Sequence, residues 1–152
     1  MKLTRHTDYA LRVMILLART TGQGLVSIRQ IAGAYGISQN HLMKIVQSLG
    51  HAGFVETVRG RHGGLRLARP ADQIPLGGLV RHTEGNGRLV DCQGCVLTPG
   101  CSLPAIFVEA TEAFLTVLDR YTLADIAGHP GALHQFLNLS DKAEGKVSAG
   151  PS

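Results

Sequence analysis

The spacing of apolar positions divides this chain before any single residue is considered. From Tyr9 to Arg19, apolar side chains at Leu11, Val13, Met14, Ile15, Leu16, Leu17 and Ala18 cover too wide an arc for a surface helix. The segment predicts a helix buried on most sides. Thr21-Gly22-Gln23-Gly24 ends it, because glycine stops helices and supplies turns. Ser27 is an N-cap residue type for a second, short helix reaching Tyr35, with Ile28, Ile31 and Ala32 facing inward. Gly36 punctuates, and Ser38 opens a third helix over Gln39 to Ala52. After Gly53 the period changes to two. Phe54 to Arg59 reads as a strand, and Leu65 to Ala68 alternates as its return. Gly60-Arg61-His62-Gly63-Gly64 between them predicts a hairpin with a flexible tip.

The second half reads differently. A short helix is expected near Leu76 to Thr83. Glu84 to Pro104 is rich in Gly, Pro and Cys, has no helical period and predicts a loop. Ile106, Phe107, Ala110, Ala113, Phe114, Val117 and Leu118 then recur at three- and four-residue spacing, the mark of a long amphipathic helix. Thr122-Leu123-Ala124-Asp125 has the form of a capping box for one more short helix. From about Ser140 the chain is polar and small, which predicts disorder. No apolar run is long enough to span a bilayer, and the N-terminal residues lack the pattern of a secretory signal. The expectation is a cytoplasmic protein whose thiols stay reduced.

Charge sharpens this picture. The net charge is +4, but the two halves differ in sign. Residues 1–70 carry ten Lys and Arg against Asp8 and Glu56 alone. Residues 71–152 carry five basic and nine acidic side chains. A basic half on a soluble protein is the electrostatic footprint of a polyanionic partner.

That basic half also has the right parts. Two short helices joined at Gly36 and followed by a glycine-tipped hairpin make a winged helix-turn-helix. In the third helix Leu42, Ile45, Val46 and Leu49 form an anchoring stripe. Asn40, Lys44, Gln47, Ser48 and His51 fall on the other side. A recognition helix needs this division, because one face holds the core while the other enters the major groove of double-stranded DNA. Gln39, Asn40 and His41 lie at its N-terminal end, with Lys44 one turn on. Amides read adenine edges, and lysine reaches guanine or phosphate. Ser38 would cap this helix beside backbone N–H groups suited to a phosphate. Arg59 and Arg61 flank or occupy the wing tip, where arginine suits a narrow minor groove.

The cysteines form one cluster, Cys92-x2-Cys95-x5-Cys101, and the chain has no others. An odd number in a reducing compartment argues against a disulfide framework. Thiolates on a Gly/Pro loop can converge on a soft metal centre, either zinc or iron with sulfide, and spacing alone does not separate the two. Three thiolates leave such a site one ligand short. A thiol redox switch without metal is the other reading. No nucleotide-binding glycine motif, catalytic dyad or second cluster motif supports an enzyme.

Taken together, these motifs resemble the Rrf2 (Rrf-two) family of winged-helix transcription regulators over roughly residues 1–135. The resemblance rests on Met1-Lys2-Leu3-Thr4 with Thr7-Asp8-Tyr9-Ala10-Leu11-Arg12, the Ser38-to-Leu49 helix, Arg59-Gly60 with Gly63-Gly64, the cysteine loop, and Tyr121 to Asp125. Thr98-Pro99-Gly100-Cys101 and the Phe114-to-Asp125 segment resemble the nitric-oxide-sensing branch. It implies a mainly α fold with a small β-hairpin wing and a long C-terminal dimerisation helix. Residues 1–83 would form the DNA-binding domain, 84–104 the cluster loop, 105–138 the dimerisation helix and C-terminal segment, and 139–152 a disordered tail. It further implies a homodimer on a palindromic operator. Cys92, Cys95 and Cys101 would carry an iron–sulfur cluster, 4Fe–4S ahead of 2Fe–2S, with Asp8 of the partner subunit as the remaining ligand. Arg12, one turn beyond Asp8, would pair with it when the cluster is lost. Asp8 also reads as a first-turn carboxylate favoured by the helix dipole. His82 is an outside candidate for the fourth ligand. The two-residue gap between Cys92 and Cys95 is narrower than in many relatives. The implied function is a repressor that releases promoter DNA when nitric oxide nitrosylates the cluster. The alternative is a regulator that responds to iron or cluster supply.

Overall fold

The computed structural model describes residues 2–85 and 87–128. The tail expected over 139–152, and the end of the segment expected over 105–138, lie outside the described residues. Six α-helices, a two-stranded hairpin and a 3-10 turn are found among the described residues.

Helix α1 (Arg5–Arg19) is capped by Thr4, whose hydroxyl accepts from the Thr7 N–H. Its wide apolar face goes where the pattern placed it: Ala10, Val13, Met14 and Leu16 are fully buried. Helix α2 (Ile28–Tyr35) begins with a reciprocal capping box. The Gln30 N–H donates to the Ser27 hydroxyl at 3.1 Å, and the Ser27 N–H donates to Gln30 Oε1 at 2.8 Å. It ends at Gly36, whose φ of 64° is the left-handed conformation that glycine adopts without strain. Helix α3 (Gln39–His51) buries Leu42, Ile45, Val46 and Leu49 against α1 and α2.

Strands β1 (Val55–Val58) and β2 (Gly64–Leu67) pair antiparallel, with Glu56 opposite Arg66 and Thr57 opposite Leu65. Phe54, expected in the first strand, lies just before it and is buried. Val26 bridges to Leu65 on the other side, so the segment before α2 fastens the wing to the core. The Leu65 N–H donates to the Val26 carbonyl at 2.8 Å.

The 3-10 turn Ala71–Gln73 leads into α4 (Leu76–Glu84). After the cysteine loop come α5 (Leu103–Leu118) and α6 (Leu123–Ala127). The Thr122–Asp125 capping box forms, with the Thr122 N–H donating to the Asp125 carboxylate at 2.7 Å. Helix α6 returns to α1, where Arg19 donates to the Ala127 carbonyl and Leu123 is fully buried.

Helix α5 departs from the amphipathic reading. Much of its apolar stripe is not covered by the other described residues. Leu115 is its one buried side chain, while Ile106, Val108 and Val117 stay 57%, 63% and 46% exposed. The helix leans on α4 along one narrow seam. There a Cβ on Gly77 would overlap the Asp119 carboxylate and come within 2.8 Å of the Leu115 carbonyl. Beside that seam Arg81 holds Asp119 through two hydrogen bonds of 2.8 Å each.

Candidate nucleic-acid interface and cysteine loop

The first two turns of α3 project polar side chains away from the core. Gln39, Asn40 and Lys44 are exposed. The Ser38 hydroxyl caps the helix, accepting from the His41 N–H at 3.2 Å. His41 is half-buried, its ring edge-on to Tyr9 with centroids 5.1 Å apart. That contact ties the start of α3 to α1. Met43 is 55% exposed on this surface and did not figure in the sequence reading. Its position outside the Leu42/Ile45/Val46/Leu49 stripe was the available signal. An apolar side chain there suits a thymine methyl group.

At the wing, residues 59–63 form the turn, and Arg59, Arg61 and His62 are exposed. A Cβ on Gly63 would overlap the Val58 carbonyl, so the tight tip requires glycine. On the strand face Arg66 donates to Glu56 at 2.8 Å. That hydrogen bond and its charge raise the Arg66 pKa and lower that of Glu56.

The cysteine loop leaves α4 and curls through two turns. The Cys95 N–H donates to the Cys92 carbonyl at 3.3 Å, and the Thr98 hydroxyl donates to the Cys95 carbonyl at 2.8 Å. Gly94 and Gly100 take positive φ at 72° and 91°, which lets the chain turn tightly beside Cys95 and Cys101. All three thiols are free; Cys92 is half-buried and the other two are exposed. Among the described residues, no three His, Cys, Asp or Glu side chains are grouped to hold a metal ion. By chemistry the donor set fits iron with sulfide or zinc, since it offers three soft, accessible thiols within a ten-residue turn. By position the thiols still have to be drawn together, and a fourth donor has to be supplied.

Asp8 and Arg12 pair on α1, with Arg12 Nε donating to Asp8 Oδ1 at 3.1 Å. The hydrogen bond and the Asp8 charge raise the Arg12 pKa. Sequence reasoning missed Tyr35, the last residue of α2. Its hydroxyl donates to the Arg12 carbonyl at 3.2 Å, and the Arg12 guanidinium sits 6.0 Å from its ring centroid. Burial raises the Tyr35 pKa, against the pull of Arg12 and Arg19.

The last turn of α4 makes the contacts that sequence could not show. Glu84 Oε1 accepts from the Thr4 N–H at 2.7 Å and from its hydroxyl at 3.0 Å. Burial pushes the Glu84 carboxyl up, but hydrogen bonds from Thr7 and Thr4 and the charge of His6 outweigh it and leave the pKa lowered. His82 is engaged at α3, its Nε2 2.9 Å from the Ser48 hydroxyl and 3.1 Å from the Ser48 carbonyl. A cavity of about 620 Å³ opens between this turn, the loop and α5, with Val80, Glu84, Cys92, Phe107 and Leu115 among its walls.

A winged helix-turn-helix with an exposed polar recognition helix, joined by one helix to a cysteine loop, defines a class of transcriptional regulator rather than an enzyme. The chain belongs to the Rrf2 family, described as iron-dependent transcriptional regulators, which it matches over residues 3–129. It is similar to the HTH-type transcriptional regulator NsrR of Bacillus licheniformis, with 46% identity over 91% of this chain and 100% of that one. The protein of the same name from Bacillus subtilis is 44% identical over 93% of this chain and 100% of its own. Among solved structures, CymR (YrzC), the global cysteine regulator of B. subtilis, superposes with a TM-score of 0.69 at 32% identity, over 84% of this chain and 96% of that one. T. potens IscR superposes with a TM-score of 0.66 at 28% identity, over 99% and 94%. Among the described residues, no helix is long and apolar enough to cross a membrane.

Proposed function

We propose that this chain is a homodimeric repressor. Its paired α3 helices and wings would bind a palindromic operator, with an iron–sulfur cluster on Cys92, Cys95 and Cys101 and nitric oxide as the signal. The observation that carries this reading is the position of the three free thiols on a loop springing from α4, the helix that also grips α1 and α3. Near-full-length similarity to NsrR-named regulators supports the same reading.

Each part has a residue-level rationale. Gln39, Asn40 and Lys44 are presented at the N-terminal end of α3 for base edges, and Ser38 fixes that end. Arg59 and Arg61 stand at the wing tip for phosphate or the minor groove. The apolar side chains of α5 that stay exposed among the described residues supply the dimer contact, since association would bury that area. Cys92, Cys95 and Cys101 would hold the cluster, 4Fe–4S ahead of 2Fe–2S, and its iron would be the chemistry that responds to nitric oxide. Asp8 of the partner subunit would complete the ligand set. The Asp8 carboxylate cannot serve a metal and Arg12 equally, so its release returns it to Arg12 beside Tyr35. The signal acts only through a difference in DNA affinity between these two arrangements.

The test is anaerobic reconstitution with iron and sulfide, then visible absorption, metal and sulfide analysis, and operator binding before and after a few equivalents of nitric oxide. A coloured protein that releases the operator on nitric oxide is expected. A colourless zinc protein, or affinity that nitric oxide leaves unchanged, rejects the reading. The family description as iron-dependent favours a second reading, a regulator of iron or cluster supply. Specific binding of the metal-free protein to a distinct DNA site supports that alternative.

A further inference from the structure

Three contacts on the last turn of α4 point to three different parts of the fold. Arg81 holds Asp119 at the C-terminal cap of α5, His82 holds Ser48 on α3, and Glu84 holds Thr4 at the N-terminal cap of α1. The cysteine loop begins immediately beyond this turn, and Cys92 lines the cavity that the turn walls off. A pull on the loop therefore bears on the last turn of α4 at one end and on the start of α5, two residues after Cys101, at the other.

Of the three contacts, only that of His82 reaches the recognition helix. With its proton on Nε2, the ring donates to the Ser48 oxygens. The Ser48 carbonyl also accepts the Ala52 N–H at 3.2 Å, so His82 grips the final turn of α3 at its backbone. The ring also faces Phe54 at a centroid distance of 5.9 Å, and Arg69 lies 5.0 Å over the other partner of that contact, the Phe54 ring. Phe54 is buried, so its ring gives His82 a fixed wall to bear on. At the opposite end of α3, His41 rests on Tyr9 of α1, one residue from Asp8. Helix α3 is thus held at one end from α1 and at the other from α4.

We propose that His82 is a positioning residue rather than a metal ligand, and that the His82–Ser48 contact carries the state of the cysteine loop to the C-terminal end of the recognition helix. The proposal rests on the sensing reading above, and it adds the route by which a change at Cys92, Cys95 and Cys101 alters the angle of α3.

The experiment uses the full chain, wild type against His82→Leu and His82→Gln. Leucine keeps bulk against Phe54 and removes the polar contact, whereas the glutamine amide places a donor near the position of Nε2. Three readouts are taken. They are the absorption spectrum of the iron- and sulfide-loaded protein, amide hydrogen exchange in the last turn of α3 without metal, and the ratio of operator affinities before and after nitric oxide. For His82→Leu the spectrum is expected to stay as in wild type. Exchange in residues 48–51 is expected to speed up about fivefold, and the affinity ratio to fall about fivefold, as for one net hydrogen bond. His82→Gln is expected to restore most of both. A changed spectrum would make His82 a ligand and overturn the proposal. So would a responsive wild type matched by an equally responsive His82→Leu, whatever the exchange rates. A wild type with no response to nitric oxide sinks the sensing reading itself, which sets that failure apart from failure of the joint.

Discussion

Two neighbouring glycines in α4 give a matched test of how α5 is seated. A Cβ at Gly78 would meet nothing within 4 Å, and Gly78 does not take a positive φ. Gly78→Ala therefore gains the helix preference of alanine without a clash, worth about 0.5–1 kcal/mol. Gly77→Ala gains the same preference, but its methyl would overlap the Asp119 carboxylate and press on the Leu115 carbonyl. The carboxylate cannot simply swing away, because both of its oxygens accept from Arg81 at 2.8 Å. The carbonyl belongs to the backbone of α5, so relief requires shifting the helix. Overpacking of this kind costs about 1–3 kcal/mol. The net for Gly77→Ala is a loss of about 1–2 kcal/mol, opposite in sign to its neighbour. At about 4 °C per kcal/mol, the two variants should melt roughly 6–12 °C apart. Thermal denaturation by circular dichroism at one fixed protein concentration measures this, since association raises the apparent midpoint. Sedimentation should also show weaker dimerisation for Gly77→Ala alone. A Gly77→Ala protein as stable as Gly78→Ala would refute the close seating of α5 on α4.

Other consequences follow from the interface and from the same seam. Asn40→Ala should weaken operator binding by about 1–3 kcal/mol in a titration against specific DNA while leaving non-specific DNA nearly unaffected. Arg61→Ala should weaken both kinds of DNA and lower the salt slope of binding by about one. Arg81 holds the Asp119 pKa below its ordinary value of 3.8, so their pairing stabilises the fold above that value and is lost as pH falls through the depressed one. Asp119→Asn should therefore be less stable than wild type at neutral pH, with the difference shrinking on acid titration. A difference that grew toward low pH would contradict the pairing. Ser38→Ala should destabilise α3 by about 1 kcal/mol through loss of the cap, read from denaturant midpoints.

How much was legible from sequence can be judged element by element. Of the six helices read from periodicity and capping, α2, α3, α4 and α6 appear within about two residues of the expected bounds, and Ser27, Ser38 and Thr122 signal their caps locally, whereas α1 starts four residues before Tyr9 and α5 three before Ile106. The hairpin was equally plain, since a period of two and a glycine tip are local properties. The exposed ends of α3 and of the wing followed from the same periodicities, and the cysteine loop from composition. What periodicity could not show is which apolar face stays uncovered. The stripe on α5 has the pattern of a core helix, yet much of it finds no cover among the described residues.

Sequence alone thus determined the winged helix-turn-helix, the sign of its charge and the clustering of Cys92, Cys95 and Cys101. All of these are encoded within a turn or two of the residues concerned. Only the tertiary structure decided that His82 reaches Ser48, 34 positions away, and that Glu84 reaches Thr4 across 80. It likewise decided that Gly77 admits α5, and that the Tyr35 hydroxyl donates to the Arg12 carbonyl. Such contacts depend on how helices cross once the core closes. The crossing is set by many buried side chains acting together, and no short stretch of chain records it.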